Sequence, residues 1–188
     1  MLDKIKTKEE IEKKRKKNHI FIGTIMILLL VVSTAGYSLM GNSGTNQGTS
    51  SVKQNGFEFF YEDGLWKTEI NGGIFNFQFL PEEVLDVPVT GFYDLNNYID
   101  QPLYFVGTNQ GNAEVLINLQ KYVSRYQGAC IDSSDCEGNL PLKDCSNNLI
   151  IFEDGNETLV QQNGLCVYLT GDPIKSADAF LYKLLGVN

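Results

Sequence analysis

Residues 20–40, IFIGTIMILLLVVSTAGYSLM, run for twenty-one positions without a charge and follow directly on the basic run Lys13-Lys14-Arg15-Lys16-Lys17. As a helix rising about 1.5 Å per residue, this stretch is roughly 31 Å long, which matches a hydrocarbon core of about 30 Å. The reading is a transmembrane helix over 20–40. The basic head, 1–19, is held in the cytoplasm by its positive charge, and everything after residue 40 lies outside. A cleaved signal peptide is the alternative. Residues 20–32 form its apolar region, and Ser33 and Ala35 supply the small residues for a cut near Ala35. No Cys follows the apolar run directly, so a lipoprotein anchor is excluded. Both readings export the remainder of the chain.

Charge divides at the same place. Residues 1–40 carry eight Lys/Arg against four Asp/Glu, whereas residues 41–188 carry seven against nineteen. An acidic body of this kind repels phosphate backbones, so nucleic acid is excluded as its partner. Residues 41–56, GNSGTNQGTSSVKQNG, contain four Gly and almost no apolar side chain. They read as a flexible linker that cannot cover a core. The extracytoplasmic domain is therefore expected over 57–188.

Within it, Phe57, Phe59 and Tyr61 alternate along a strand, Asp63-Gly64 marks a turn, and residues 65–70 form the return strand. Asn71-Gly72 is a second hairpin signal, and residues 74–80 place Phe75, Phe77 and Phe79 on one face. Pro81 and Pro88 confine 82–89 to a turn and a short edge strand. Residues 103–106 read as a strand, and 112–126 as a helix capped by Asn109 or Asn112 and closed by Gly128. Strands follow at 149–153, 157–162 and 165–170. A last helix opens at Asp172-Pro173, with Ala177, Phe180, Leu181, Leu184 and Leu185 on its buried stripe. The expected class is α+β: a mainly antiparallel sheet built from two β-meanders, with two packed helices.

Cys130, Cys136, Cys145 and Cys166 all lie on the exported side, where oxidation is normal, and their even number points to two disulfides. Three connectivities are open. Cys130–Cys136 with Cys145–Cys166 is favoured because the first closes a short loop and the second ties a late loop to the last strand. The spacing C-x5-C-x8-C-x20-C lacks the paired knuckles of a four-cysteine zinc site and the C-x-x-C of redox proteins. No metal or cofactor is assigned.

His19 is the sole histidine and precedes the apolar stretch, so the domain has no His for a Ser-His-Asp, Cys-His or His-ligated metal site. Lys53, Lys67, Lys121, Lys143, Lys175 and Lys183 show no motif pairing them with a serine. Glu82-Glu83, Asp94, Asp100 and Glu153-Asp154 are the acids considered for a carboxylate-based hydrolase. The loop from Asp132 to Gly138 resembles a cation loop but lacks the register of an EF-hand. No catalytic residue is assigned. Asn156-Glu157-Thr158 is the one N-glycosylation sequon, in an expected turn.

The lysine-rich head with its apolar stretch, residues 75–89 (FNFQFLPEEVLDVPV), residues 148–169 with Cys145 and Cys166, and the closing AFLYKLLGV resemble single-pass, membrane-anchored surface proteins of small-genome archaea. For these no activity is established. The resemblance implies a cell-surface location and carries over no functional residue. The function expected from the residues is a membrane-tethered, extracytoplasmic, non-enzymatic binding or assembly module. Its partners would be the bilayer through residues 20–40 and a surface protein or glycan. The alternatives are an exported carboxylate-based hydrolase and a structural component of the cell envelope.

Overall fold

The computed structural model describes residues 24–26, 50–107, 109–133, 136 and 138–187. Residues 24–26 are helical, and the rest of the span expected over 20–40 lies outside the described residues, as do the basic head and positions 41–49. Among the described residues no helix is long and apolar enough to cross a membrane.

The domain begins earlier than its hydrophobic pattern indicates. Ser51–Gln54 is a strand, β1, paired antiparallel with β2 (Phe57–Glu62). The linker expected over 41–56 therefore gives up its last residues to the fold. β3 (Leu65–Ile70) and β4 (Gly73–Phe77) complete a four-stranded antiparallel sheet in the order β1-β2-β3-β4. Its three connections are Asn55-Gly56, Asp63-Gly64 and Asn71-Gly72, each with both residues at positive φ. That is the backbone a two-residue type I′ hairpin requires, and Asn-Gly and Asp-Gly adopt it most readily. Val52, Phe59, Thr68 and Phe75 share one face by register. That face carries Phe59, Phe75 and Phe77 into the core.

The second sheet departs from expectation. Its order is β5-β9-β10-β8-β6-β7, made from Val89–Thr90, Leu159–Asn163, Cys166–Thr170, Asn148–Glu153, Pro102–Val106 and Arg125–Gly128. Only the β9–β10 pair is antiparallel; the other four are parallel. The second meander is thus absent, because β10 lies between β8 and β9. The cause is visible in β8, where Asn148, Leu149, Ile150 and Ile151 are buried in succession. A strand buried on both faces takes a central position in a sheet with parallel neighbours.

The helix expected over 112–126 is shorter. α1 spans Gln110–Leu119, with Asn109 accepting the Gly111 N–H as its N-cap. The chain then turns and forms β7 parallel to β6, so β6-α1-β7 is a crossover unit. The aromatic and β-branched run Tyr122, Val123, Tyr126 suits the strand and its approach better than a helix. α2 (Pro173–Leu185) starts at Asp172, whose carboxylate accepts the N–H groups of Ile174 and Lys175, and ends at Gly186 with φ 71°.

α2 is the hub of the core. Residues 176–182 are all buried in an unbroken row, as befits a helix enclosed on every side. Tyr182 stacks on Phe77 at 4.1 Å between ring centroids and meets Phe59 edge-on. Phe180, on another side of the helix, meets the edges of Tyr93 and Tyr98. Leu103, Phe105, Ile150 and Val167 of the second sheet join this core, while Tyr104, Leu149, Ile151 and Cys166 form a separate cluster with Ala129 and Cys145.

Candidate functional site

The outer edge of β4 has no neighbouring strand, yet its peptide groups are occupied. Asn118 of α1 accepts the Asn76 N–H through Oδ1 and donates from Nδ2 to the Asn76 carbonyl, both at 2.7 Å. Asp178 Oδ2 of α2 accepts the N–H groups of Gln78 and Phe79, at 3.0 and 2.9 Å. The Tyr182 hydroxyl donates to the Phe79 carbonyl at 2.6 Å, and Lys121 Nζ donates to the Ile74 carbonyl at 2.8 Å. Side chains of α1 and α2, with Lys121 just past α1, thus take the place of a fifth strand along β4 and the two residues after it.

In the middle of this seam two acids meet. Glu114 of α1 is 5% exposed and Asp178 is 0% exposed. Their carboxyls lie within hydrogen-bonding reach of each other, and Gln78 Nε2 donates to Glu114 Oε2 at 3.2 Å. Burial raises the pKa of Asp178 well above the ordinary carboxylate range, and the charge of Glu114 raises it further. Burial likewise raises Glu114, partly offset by its hydrogen bonds to Asp178 and Gln78. Glu114 Oε1 and Asp178 Oδ1 have no other donor. Two buried carboxylates this close do not both ionise, so the pair retains a proton.

This is the arrangement a carboxylate hydrolase would need in its ionisation, but not in its access. A cleft of about 330 Å³ is lined by Ile70, Asn71, Phe75, Asp94, Leu95, Asn96, Tyr122, Leu184 and Leu185. A groove of about 300 Å³ is lined by Asp86, Val87, Pro88, Glu157, Thr158, Leu159 and Lys175. Glu114 and Asp178 line neither. Asp178 Oδ2 serves the Gln78 and Phe79 N–H groups just past β4, and Glu114 Oε2 serves the Gln78 side chain, which makes the pair a structural pin.

The acids singled out from sequence lie apart from this pair. Glu83 accepts the Leu80 N–H in a helical cap, and Asp94 accepts from Asn96. Glu82, Asp100, Glu153 and Asp154 are exposed. Neither Glu114 nor Asp178 carries a local signal, since each is a lone acid in a helical pattern whose partner is 64 residues away. The observed lysine contacts are carbonyl, carboxylate and aromatic groups. Lys67 pairs with Glu62 and Asp63, Lys143 lies over Tyr104, and Lys175 lies over Phe79.

The cysteines pair as Cys130–Cys136 and Cys145–Cys166. The second joins the segment before β8 to the first residue of β10, in register with Leu149. Of the loop from Asp132 to Gly138, residues 134, 135 and 137 lie outside the described residues, among which no group of three His, Cys, Asp or Glu side chains could hold a metal ion. Asn156 is exposed in the β8–β9 connection. The hydroxyl of Thr158, two residues on, accepts the Asp172 N–H at 3.1 Å and so braces the start of α2. No family model, curated protein or solved structure matches this chain.

Proposed function

We propose that residues 50–187 are a non-enzymatic binding or assembly module displayed outside a membrane and held there through residues 20–40. The observation that carries this reading is where the facing acids lie. Glu114 and Asp178 are enclosed by α1, α2 and β4, and their oxygens are used in holding that edge. A hydrolase needs such a pair to open onto a substrate cleft. Two disulfides favour an oxidising compartment. Exposed apolar side chains at Phe92, Leu85 and Leu142 add surface suited to a protein or glycan partner.

Protease shaving of intact cells that express the full chain, followed by mass analysis of the released fragments, tests the display. Release of the domain with all four cysteines blocked to alkylation supports it. A chain that stays cytosolic, with four titratable thiols, overturns it. Self-association or saturable capture of an envelope component by the full chain then separates assembly from ligand binding. Glycan attachment at Asn156 belongs to the same reading, and the mass of the shaved fragment reports it.

A further inference from the structure

The polypeptide joins the domain at one corner. The Ser50 carbonyl accepts the Tyr61 N–H at 3.0 Å, and Ser51 is in register with Phe60. The chain is thereby fixed beside the β2–β3 hairpin, whose turn is Asp63-Gly64. At this corner Tyr61 and Trp66 are direct cross-strand partners with ring centroids 5.0 Å apart. Tyr61 is 46% exposed, and Trp66 is half-buried at the margin of the core. Tyrosine and tryptophan combine an apolar ring with a polar tip, and this pair of properties concentrates them at membrane–water interfaces.

Between residue 40, where the apolar stretch ends, and Ser50 there are nine residues. Fully extended they reach about 30 Å at most. A bilayer spanned by 20–40 would therefore lie within roughly that reach of Ser50, whose carbonyl holds the Tyr61 N–H. The hairpin tip is also electrically compatible with a headgroup layer. Lys67 Nζ holds Glu62 at 2.8 Å and Asp63 at 2.9 Å, so one ammonium offsets two carboxylates beside the rings.

We propose that the Tyr61–Trp66 pair is an interfacial anchor that seats the β2–β3 corner of the domain in the headgroup layer of the bilayer carrying this chain. The proposal rests on the membrane-tethered reading above. Its occupant is lipid, and the uncompensated acid at the tip favours zwitterionic over anionic headgroups.

Trp66 is the only tryptophan, so intrinsic fluorescence reports on this corner alone. The full chain is reconstituted into phosphatidylcholine vesicles brominated either near the headgroup or at the acyl-chain end. Expected is co-flotation with the vesicles and stronger quenching of Trp66 by the shallow bromines than by the deep ones. Tyr61→Ser removes one ring of the pair and should lower the ratio of seated to unseated domain by roughly tenfold, the worth of one aromatic side chain leaving its apolar surroundings. Co-flotation with Trp66 unquenched by either lipid overturns the anchor and leaves the tether standing. Failure to float overturns both. Emission that ignores brominated lipid but shifts on adding an oligosaccharide reassigns the rings to glycan stacking and also overturns the proposal.

Discussion

Asn118 and Asn76 are 42 residues apart, yet the side-chain amide of the first donates to and accepts from the backbone of the second at 2.7 Å in each direction. A primary amide presents the same donor and acceptor as a peptide unit, so one buried side chain supplies what a neighbouring strand would. An exposed strand edge invites pairing with another chain, and here that edge is closed from inside the fold. Replacing Asn118 with Leu keeps its volume but leaves the Asn76 N–H and carbonyl unpaired. Asn118→Leu should cost about 3 kcal/mol, from two stranded backbone groups. Urea unfolding followed by circular dichroism checks this through the midpoint at unchanged slope.

Asp178 gives the domain an unusual pH response. Its native pKa is raised, so the folded chain keeps a proton that the unfolded chain releases near pH 4. The pair's contribution to stability is fully present below that pH and is lost as pH rises through the raised native value. Asp178→Asn keeps an oxygen for the Gln78 and Phe79 N–H groups and removes the titration. Unfolding free energy measured between pH 5 and pH 9 should fall less with pH in this variant than in the parent. Asp178→Ala strands both N–H groups and should cost about 4 kcal/mol at pH 5, and less as pH rises and the parent loses the contribution of its bound proton.

Gly111 lies in the first turn of α1, where a change to alanine normally adds about 1 kcal/mol of helix stability. Here a Cβ would fall 2.3 Å from the Phe152 ring and 2.5 Å from the Pro173 carbonyl. α1, β8 and the start of α2 meet at this point with no room for a methyl group. Gly111→Ala should therefore destabilise, by about 2 kcal/mol or more. A thermal melt against the parent chain decides the sign.

The two disulfides should differ in worth. Cys145–Cys166 closes a separation of 21 residues and Cys130–Cys136 one of 6. Loop-closure entropy then assigns about 3 kcal/mol to the first and about 2 kcal/mol to the second. Removing Cys145 and Cys166 together should lower the urea midpoint more than removing Cys130 and Cys136 together. Equal losses would show that native packing around Cys166, rather than chain entropy, sets the balance.

The first sheet was largely legible. Asp63-Gly64 and Asn71-Gly72 announce its hairpins, and the alternation of Phe75 and Phe77 marks its buried face. Asn55-Gly56 is the same signal, but it stands beside Ser51–Gln54, whose side chains carry too little apolar surface to look like part of a core. β1 forms because β2 supplies backbone partners, a stabilisation that hydropathy does not record. The second sheet departs from its local sequence pattern for the opposite reason. Short turns after β8 and β9 suggest neighbouring strands, whereas the consecutive burial of Asn148, Leu149, Ile150 and Ile151 asks for partners on both sides. The Glu114–Asp178 seam was not legible at all. It depends on two helices meeting one strand edge, and no local pattern encodes a contact of that range.

α2 supplies Asp178 to the Gln78 and Phe79 N–H groups and Tyr182 to the Phe79 carbonyl, just past β4, and Phe180 to Tyr93 and Tyr98 on another side of the core. The same helix therefore fastens the edge of the first sheet and fills the core on its other side, so a substitution that loosens α2 uncouples both regions at once.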